Sequence, residues 1–464
     1  MGRVRKDAGI GYNGVRLNGH GHGSCHNAGV SADEDASKRR RSPRWRVDVT
    51  PLRTSRDFRL LFLSGTITNL GSMISYVVIP FQVATLTGSF VAVGLIGLAE
   101  LVPMIVFGLY GGSLADSLDR RVMVVATEAM AGVTVLVLLL NSLLAAPQLW
   151  TLYVMAMLLA AVESLQRPSL DAMTPRVVPH DQLPAAAALN SFRWTFGSIV
   201  GPAIGGLLLS AGGATTAYAV DVGTYIVSVL ILWRLRSIKV ERSDSDSAPM
   251  RHIAEGMTYA WSRKDLLGTY AVDMIAMIFA FPYALFPFLA QQLDAPWALG
   301  LLYAAGAVGS LIVSLTSGWT SAVHRHGRAI VIAAAFWGLG IALVGVTTSL
   351  PLILVFLAVA GGADMISGIF RGVMWNQTIP DDVRGRMAGI ELLSYSIGPL
   401  LGQVRSSTAA SLTSLRMSFI SGGILCIIGV GLSAIALPSL WNYDDRTSED
   451  AMRERAKRRD HDAQ

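Results

Sequence analysis

Apolar runs recur along the chain, each bounded by a short turn of polar residues, glycine or proline. A helix rising 1.5 Å per residue needs about 20 such residues to cross a hydrocarbon core about 30 Å thick. Six runs meet that length at 59–87, 90–114, 122–145, 150–176, 187–211 and 213–235. A polar stretch from Arg234 to Asp265 follows, and with Arg236, Lys239, Glu241 and Arg242 among its charges it is too polar for hydrocarbon. Six more runs lie at 266–291, 297–319, 328–348, 350–378, 388–410 and 415–438. The pattern predicts an all-α integral membrane protein of twelve transmembrane helices in two six-helix halves. The expected organisation is a disordered basic tail at 1–58, a first half at 59–235, a central loop at 236–265, a second half at 266–438 and a tail at 439–464.

Composition agrees: of 464 residues 52% are hydrophobic and 15% charged, where a soluble enzyme carries about a quarter. The 46 glycines suit helices that must approach closely, because lipid gives no hydrophobic drive between helices and van der Waals contact takes over. The net charge of +6 could point to nucleic acid, but the cations are dispersed through loops and tails rather than along one face. Orientation explains them better. With the N-terminus inside, the outer loops hold Arg416 as their only cation, while the inner loops carry Arg120, Arg121, Arg176, Arg325, Arg328, Arg384 and Arg386. Both termini are therefore expected in the cytoplasm, with the protein in the plasma (inner) membrane. The first run follows 58 mostly polar residues and ends without a small-residue cleavage site, so it reads as a retained helix.

The two halves resemble each other. Arg167 is followed by VPHDQLPAA (178–186) at the end of the fourth run, and Arg371 by IPDDVRGRMAG (379–389) at the end of the tenth. GPAIGG (201–206) in the fifth run is answered by GPLLG (398–402) in the eleventh. A parallel duplication accounts for both matches.

The loop GGSLADSLDRRVMV (111–124) resembles the signature loop of the major facilitator superfamily, with Gly112, Asp116, Arg120 and Arg121 matching. Ser117 and Asp119 depart from it, standing where a basic residue and a glycine are usual. An acid at a helix end can receive an arginine or the positive end of a neighbouring helix and so latch one conformation. The second-half loop SGWTSAVHRHGRAI (317–330) lacks the acid, so a one-sided latch is expected. Gly197, Gly201, Pro202, Gly205 and Gly206 resemble the antiporter motif of the drug:proton antiporter branch, although ordinary helix packing explains the glycines almost as well. From about 57 to 437 the chain is similar to that branch, among the enterobactin, macrolide and multidrug exporters. The resemblance implies the major facilitator fold, a cavity between the halves, alternating access and proton-driven export of a bulky organic molecule such as a siderophore or drug.

Charges inside the runs mark the cavity. An ionised side chain at the bilayer centre costs roughly 2.5–3.5 kcal/mol, so such groups should face water or one another. Glu163, Arg167 and Asp171 share one face of the fourth run, Asp364 and Arg371 nearly share a face of the tenth, Asp273 lies in the seventh and Asn69 and Gln82 in the first. Glu100, Asp221 and Arg405 lie in runs expected at the flanks. A proton carrier needs a carboxyl able to load on one side and release on the other. Asp273 or Asp364, Glu163 or Asp171, and a group elsewhere in the chain are all candidates, and the choice stays open. The two arginines would also suit an anionic substrate. No enzymatic constellation, cofactor motif or phosphate-binding loop is present, so no enzyme, cofactor or metal is expected. In the head, GHGHGSCHN (19–27) reads as exposed sequence rather than a metal site, and SKRRRSPRWR (37–46) as a segment lying on anionic lipid heads. The expected partners are a small-molecule substrate, protons and the bilayer, without nucleic acid, and the expected unit is a monomer. An importer, a uniporter, a membrane-embedded sensor and a lipid-handling protein are the rival readings.

Overall fold

The structure is a computed structural model that describes residues 48–117, 119–236, 261 and 263–462; at 109–117, 381–395, 455 and 458–462 it describes backbone only. The basic head before residue 48 and most of the central loop lie outside the described residues, as does the side chain of Asp116.

Among the described residues all regular structure is helical. The first four spans are Arg56–Thr87, Phe90–Ser117, Arg120–Ser142 and Leu149–Val177. A single helical run, Leu183–Leu232, then leaves helical geometry at Gly212 and Gly213, which separates a fifth span at 183–211 from a sixth at 214–232. Gly213 has φ of 68°, a region open to glycine because it lacks Cβ, and there the chain reverses. The seventh span is Lys264–Ala280 continued by Phe286–Gln292, followed by Leu299–Leu315, His326–Val346, Leu350–Thr378, Asp381–Leu412 and Leu415–Ala436 as the eighth to twelfth.

Three differences from the sequence expectation have local causes. The first span starts at Arg56 rather than 59, because the Ser55 hydroxyl accepts from Phe58 N at 3.1 Å and donates to Val177 O at 2.6 Å. The seventh span is broken rather than continuous: Pro282 disfavours helical geometry at Phe281, which is extended at φ −88° and ψ 112°. The C-terminal tail is not free but folds as Pro438–Trp441 and Glu449–Asp462 against the end of the second half.

In the first half the first span packs on the fifth and sixth, the second on the fourth, and the third on the fourth and sixth. In the second half the ninth packs on the tenth and twelfth, the eighth on the tenth, and the seventh on the eleventh and twelfth. The halves meet mainly through the second and eleventh spans and the fifth and eighth. Glycine sets these distances: a Cβ on Gly206 would lie 2.6 Å from Gly300 N, and one on Gly97 2.7 Å from Leu400 O. Both contacts lie toward the end of the bundle away from the C-terminal helices. Aromatic rings close the same end, Phe90 against Phe288 at 4.4 Å between centroids, Phe286 against Tyr303 at 5.0 Å and Tyr283 against Tyr303 at 5.3 Å.

Candidate functional site

On the fourth span, Glu163, Arg167 and Asp171 follow one another at one-turn intervals and all three are exposed. Glu163 is open to solvent yet lies deep among protein atoms and acts electrostatically on Tyr76 and Glu100 of the first and second spans. Solvent access combined with that depth is the property of a wet cavity, not of a lipid-facing surface. Pro168 lies inside the helix directly after Arg167 and removes one backbone donor there. Asp171 also feels the charge of Arg193 on the fifth span.

The second half carries a charged cluster of its own. Arg371 of the tenth span contacts Asp273 of the seventh through Nη1 and lies 3.9 Å from Asp364 Oδ1 through Nη2. Asp364 and Arg371 are seven residues apart, so two helical turns bring them to one face. The side chains of Asp273 and Arg371 are 4% and 10% exposed, whereas that of Asp364 is 40% exposed. The triad thus has a buried ion pair and one exposed carboxyl, Asp364. Nearby, Trp375 donates its indole N–H to Thr269 Oγ1 at 2.9 Å and stacks on Tyr270.

Two residues expected on the cavity wall are elsewhere. Asn69 is 9% exposed, donates from Nδ2 to Arg193 O at 3.2 Å and fills the space over Gly197, so it belongs to the contact between the first and fifth spans. Gln82 accepts from the Tyr218 hydroxyl at 2.9 Å in the core of the first half. Both follow from the crossing of the first span on the fifth and sixth, which periodicity along a single helix does not reveal.

The antiporter-motif glycines have definite neighbours. Gly201 faces Met73 and Leu70, Gly205 faces Ile74, and Gly206 meets the Gly300 backbone, so one helix face contacts both the first span and the second half. Gly300 in turn lies against the Pro202 carbonyl. In the signature loop, Asp119 caps the third span by accepting from Arg121 N at 2.9 Å, Arg121 donates from Nη2 to Trp233 O at 2.6 Å, and Arg120 is buried. Gly112 and Asp116 end the second span, and the partners of Asp116 lie outside the described side chains.

The second-half loop lacks an acid in its own sequence, but it receives acids from the C-terminal tail. His324 Nδ1 is 3.0 Å from Asp445 Oδ1, and Arg325 Nε is 3.9 Å from Asp444 Oδ2. These contacts hold the folded tail across the loop. Sequence reasoning also missed Glu128, which is 3% exposed on the third span and accepts from Thr68, Ser228 and Gln166. Its only sequence signal is a lone acid in the apolar run VMVVATEAMAGV (122–133).

Two six-helix halves of membrane-length spans are the architecture of a multi-pass membrane transporter of the major facilitator superfamily, not an enzyme. A family model described as transmembrane secretion effector matches residues 47–461, and the chain belongs to that family. It is 27% identical over 388 residues to the enterobactin exporter EntS of Shigella boydii serotype 18, covering 83% of this chain and 93% of that protein. The EntS of Escherichia coli O1:K1 / APEC matches with the same identity and coverage. A bacterial homologue of the human lysosomal transporter Spinster, solved inward-facing and unoccupied, superposes with a TM-score of 0.66 at 15% identity over 83% of this chain and 97% of its own. An inward-facing bacterial homologue of the iron transporter ferroportin gives 0.64 at 16% identity over 83% and 98%. At these identities the solved structures speak for the fold alone.

Proposed function

We propose that this transporter exports a bulky organic small molecule of the siderophore or drug-like class, in exchange for protons, by alternating access. The reading is carried by charges inside apolar spans of both halves: Glu163, Arg167 and Asp171 lie along one face of the fourth span, and Asp273, Arg371 and Asp364 come together in the second half, at positions where charges need a polar route. Likeness to enterobactin exporters supports the direction of transport and a large organic substrate. The GPAIGG face of the fifth span supports antiport, since its glycines hold the closed end tight against leak. Cation-rich loops at the open end support a cytoplasmic location of both termini in the plasma membrane. One chain holds both walls and serves as the transport unit.

The driving force is about 2.3 kcal/mol per proton per 100 mV, added to the pH gradient. The test is uptake into inside-out vesicles under an imposed pH gradient, screening siderophores, macrolides and cationic dyes. Uptake that collapses with an uncoupler supports antiport. Gradient-independent equilibration of the same compounds leaves a facilitator instead.

A further inference from the structure

Inside the first half, away from the cavity wall, two carboxyls are buried at two levels between the first and sixth spans. Thr68 and Ser75 on the first span are seven residues apart, as are Asp221 and Ser228 on the sixth, so each pair lies on one helix face. At one level, Glu128 from the third span accepts hydrogen bonds from the Thr68 and Ser228 hydroxyls, and its other oxygen accepts from Gln166 Nε2 at 2.7 Å. At the other, Asp221 accepts from the Ser75 hydroxyl and, at 3.1 Å, from the Thr224 hydroxyl. Glu128 is 3% exposed and Asp221 0%.

The donors decide what such a site can do. Among the described residues both carboxyls are met by hydroxyls and one amide, and no ion pair reaches either. A hydroxyl donates to a carboxylate and accepts from a carboxylic acid, so this lining serves both protonation states, where an arginine would hold the charged one. Helix adhesion alone would be met by hydroxyls and amides without the cost of a buried carboxylate lacking a cation. Gln166 connects the site to the cavity, because it lies on the fourth span within one turn of Glu163. The charged and titratable groups facing the pair are Glu163, Arg193 from the fifth span, and Tyr218 and Tyr225 from the sixth.

We propose that Glu128 and Asp221 hold the coupled proton within the first half, exchanging it with water on the side of Glu163, with Gln166 positioning the Glu128 carboxyl. One carboxylate of the pair takes the proton, delivered through Glu163, to become the acid, and returns the same proton when the half reorients. The proposal rests on the antiport reading above.

The test is pH-dependent infrared spectroscopy on the full-length protein in lipid, free of substrate, following the carboxylic-acid C=O band in H2O and D2O. Wild type is compared with Glu128→Gln and Asp221→Asn, and with Glu128→Asp and Asp221→Glu in case an amide fails to fold. The expected result is a titrating acid band that each amide variant diminishes and each acid variant retains at a shifted frequency. In the same vesicles, ethidium transport against its gradient should fall at least about a hundredfold in the amide variants, the size of loss typical of removing a proton-transfer group, with downhill ethidium movement kept. A band unchanged by either amide, or full gradient-driven transport in both, overturns the proposal. A titrating band in a wild type whose ethidium movement ignores the pH gradient overturns antiport while leaving the pair's proton binding in place.

Discussion

The Asp273 and Arg371 pair is a buried ion pair between the seventh and tenth spans. With Asp273 4% exposed, removing its cation leaves a buried charge uncompensated, which costs about 3–5 kcal/mol, whereas removing both charges is often near neutral. Arg371→Met should therefore lower the thermal unfolding midpoint in detergent by several degrees, and Asp273→Asn with Arg371→Met should recover most of it. Transport should stay lost in both, because the second-half cluster no longer carries its cation. Equal destabilisation in the single and double variants would show that the pair is not the source. The sequence made each of these charges visible as an oddity in an apolar run, and the spacing of Asp364 and Arg371 placed those two together. It did not pair Asp273 with Arg371, because the register of the seventh span against the tenth is a tertiary fact. Glu128 shows the same limit: its partners come from three other helices, and nothing local distinguishes it from a stray acid.

Among the elements, the fifth span and the C-terminal tail act through close backbone approach. A Cβ on Gly206 would meet Gly300 N at 2.6 Å and Cα at 2.9 Å, atoms that cannot rotate away, while one on Gly205 would lie 3.3 Å from Ile74 Cα. Gly206→Val should leave each half folded but prevent the closed end from sealing, cutting transport in vesicles by tenfold or more, about 1.4 kcal/mol. Gly205→Ala should retain most of it. The tail is anchored differently. Leu440 is fully buried over Gly268 and Gly327, the Arg328 guanidinium lies 5.3 Å from the Trp441 ring centroid, and Arg263 bridges Asp265 and Asp450 at 2.8 and 3.0 Å. Truncating a buried leucine costs about 2–5 kcal/mol, while a partly exposed ion pair contributes at most about 1 kcal/mol. Leu440→Ala should thus lower the unfolding midpoint clearly and Asp450→Asn barely, and the reverse order would mean that charge holds the tail. Helix number and order were legible because hydropathy states them outright. The tail was not, because its polar composition reads as solvent-exposed until Leu440 and Tyr443 find the second half.

For the whole molecule, the two ends of the bundle differ in a way that a single reagent can report. One end is closed by Phe90 on Phe288 and by the tyrosine cluster, and the other leaves Glu163, Arg167 and Asp171 open. A cysteine at position 163 should react with a membrane-impermeant maleimide from the side that carries the termini. The background must lack Cys25, whereas Cys426 is 0% exposed and can remain, since thiol reactivity requires access. With Cys25→Ser and Glu163→Cys, inside-out vesicles should label at least about tenfold faster than right-side-out ones if the inward-open state predominates by 1.4 kcal/mol. Adding Gly206→Val weakens the closed end and should narrow that ratio by admitting the reagent from the other side. An unchanged ratio would mean that the aromatic rings seal without the glycine contact, and a reversed ratio in the parent would place the termini outside.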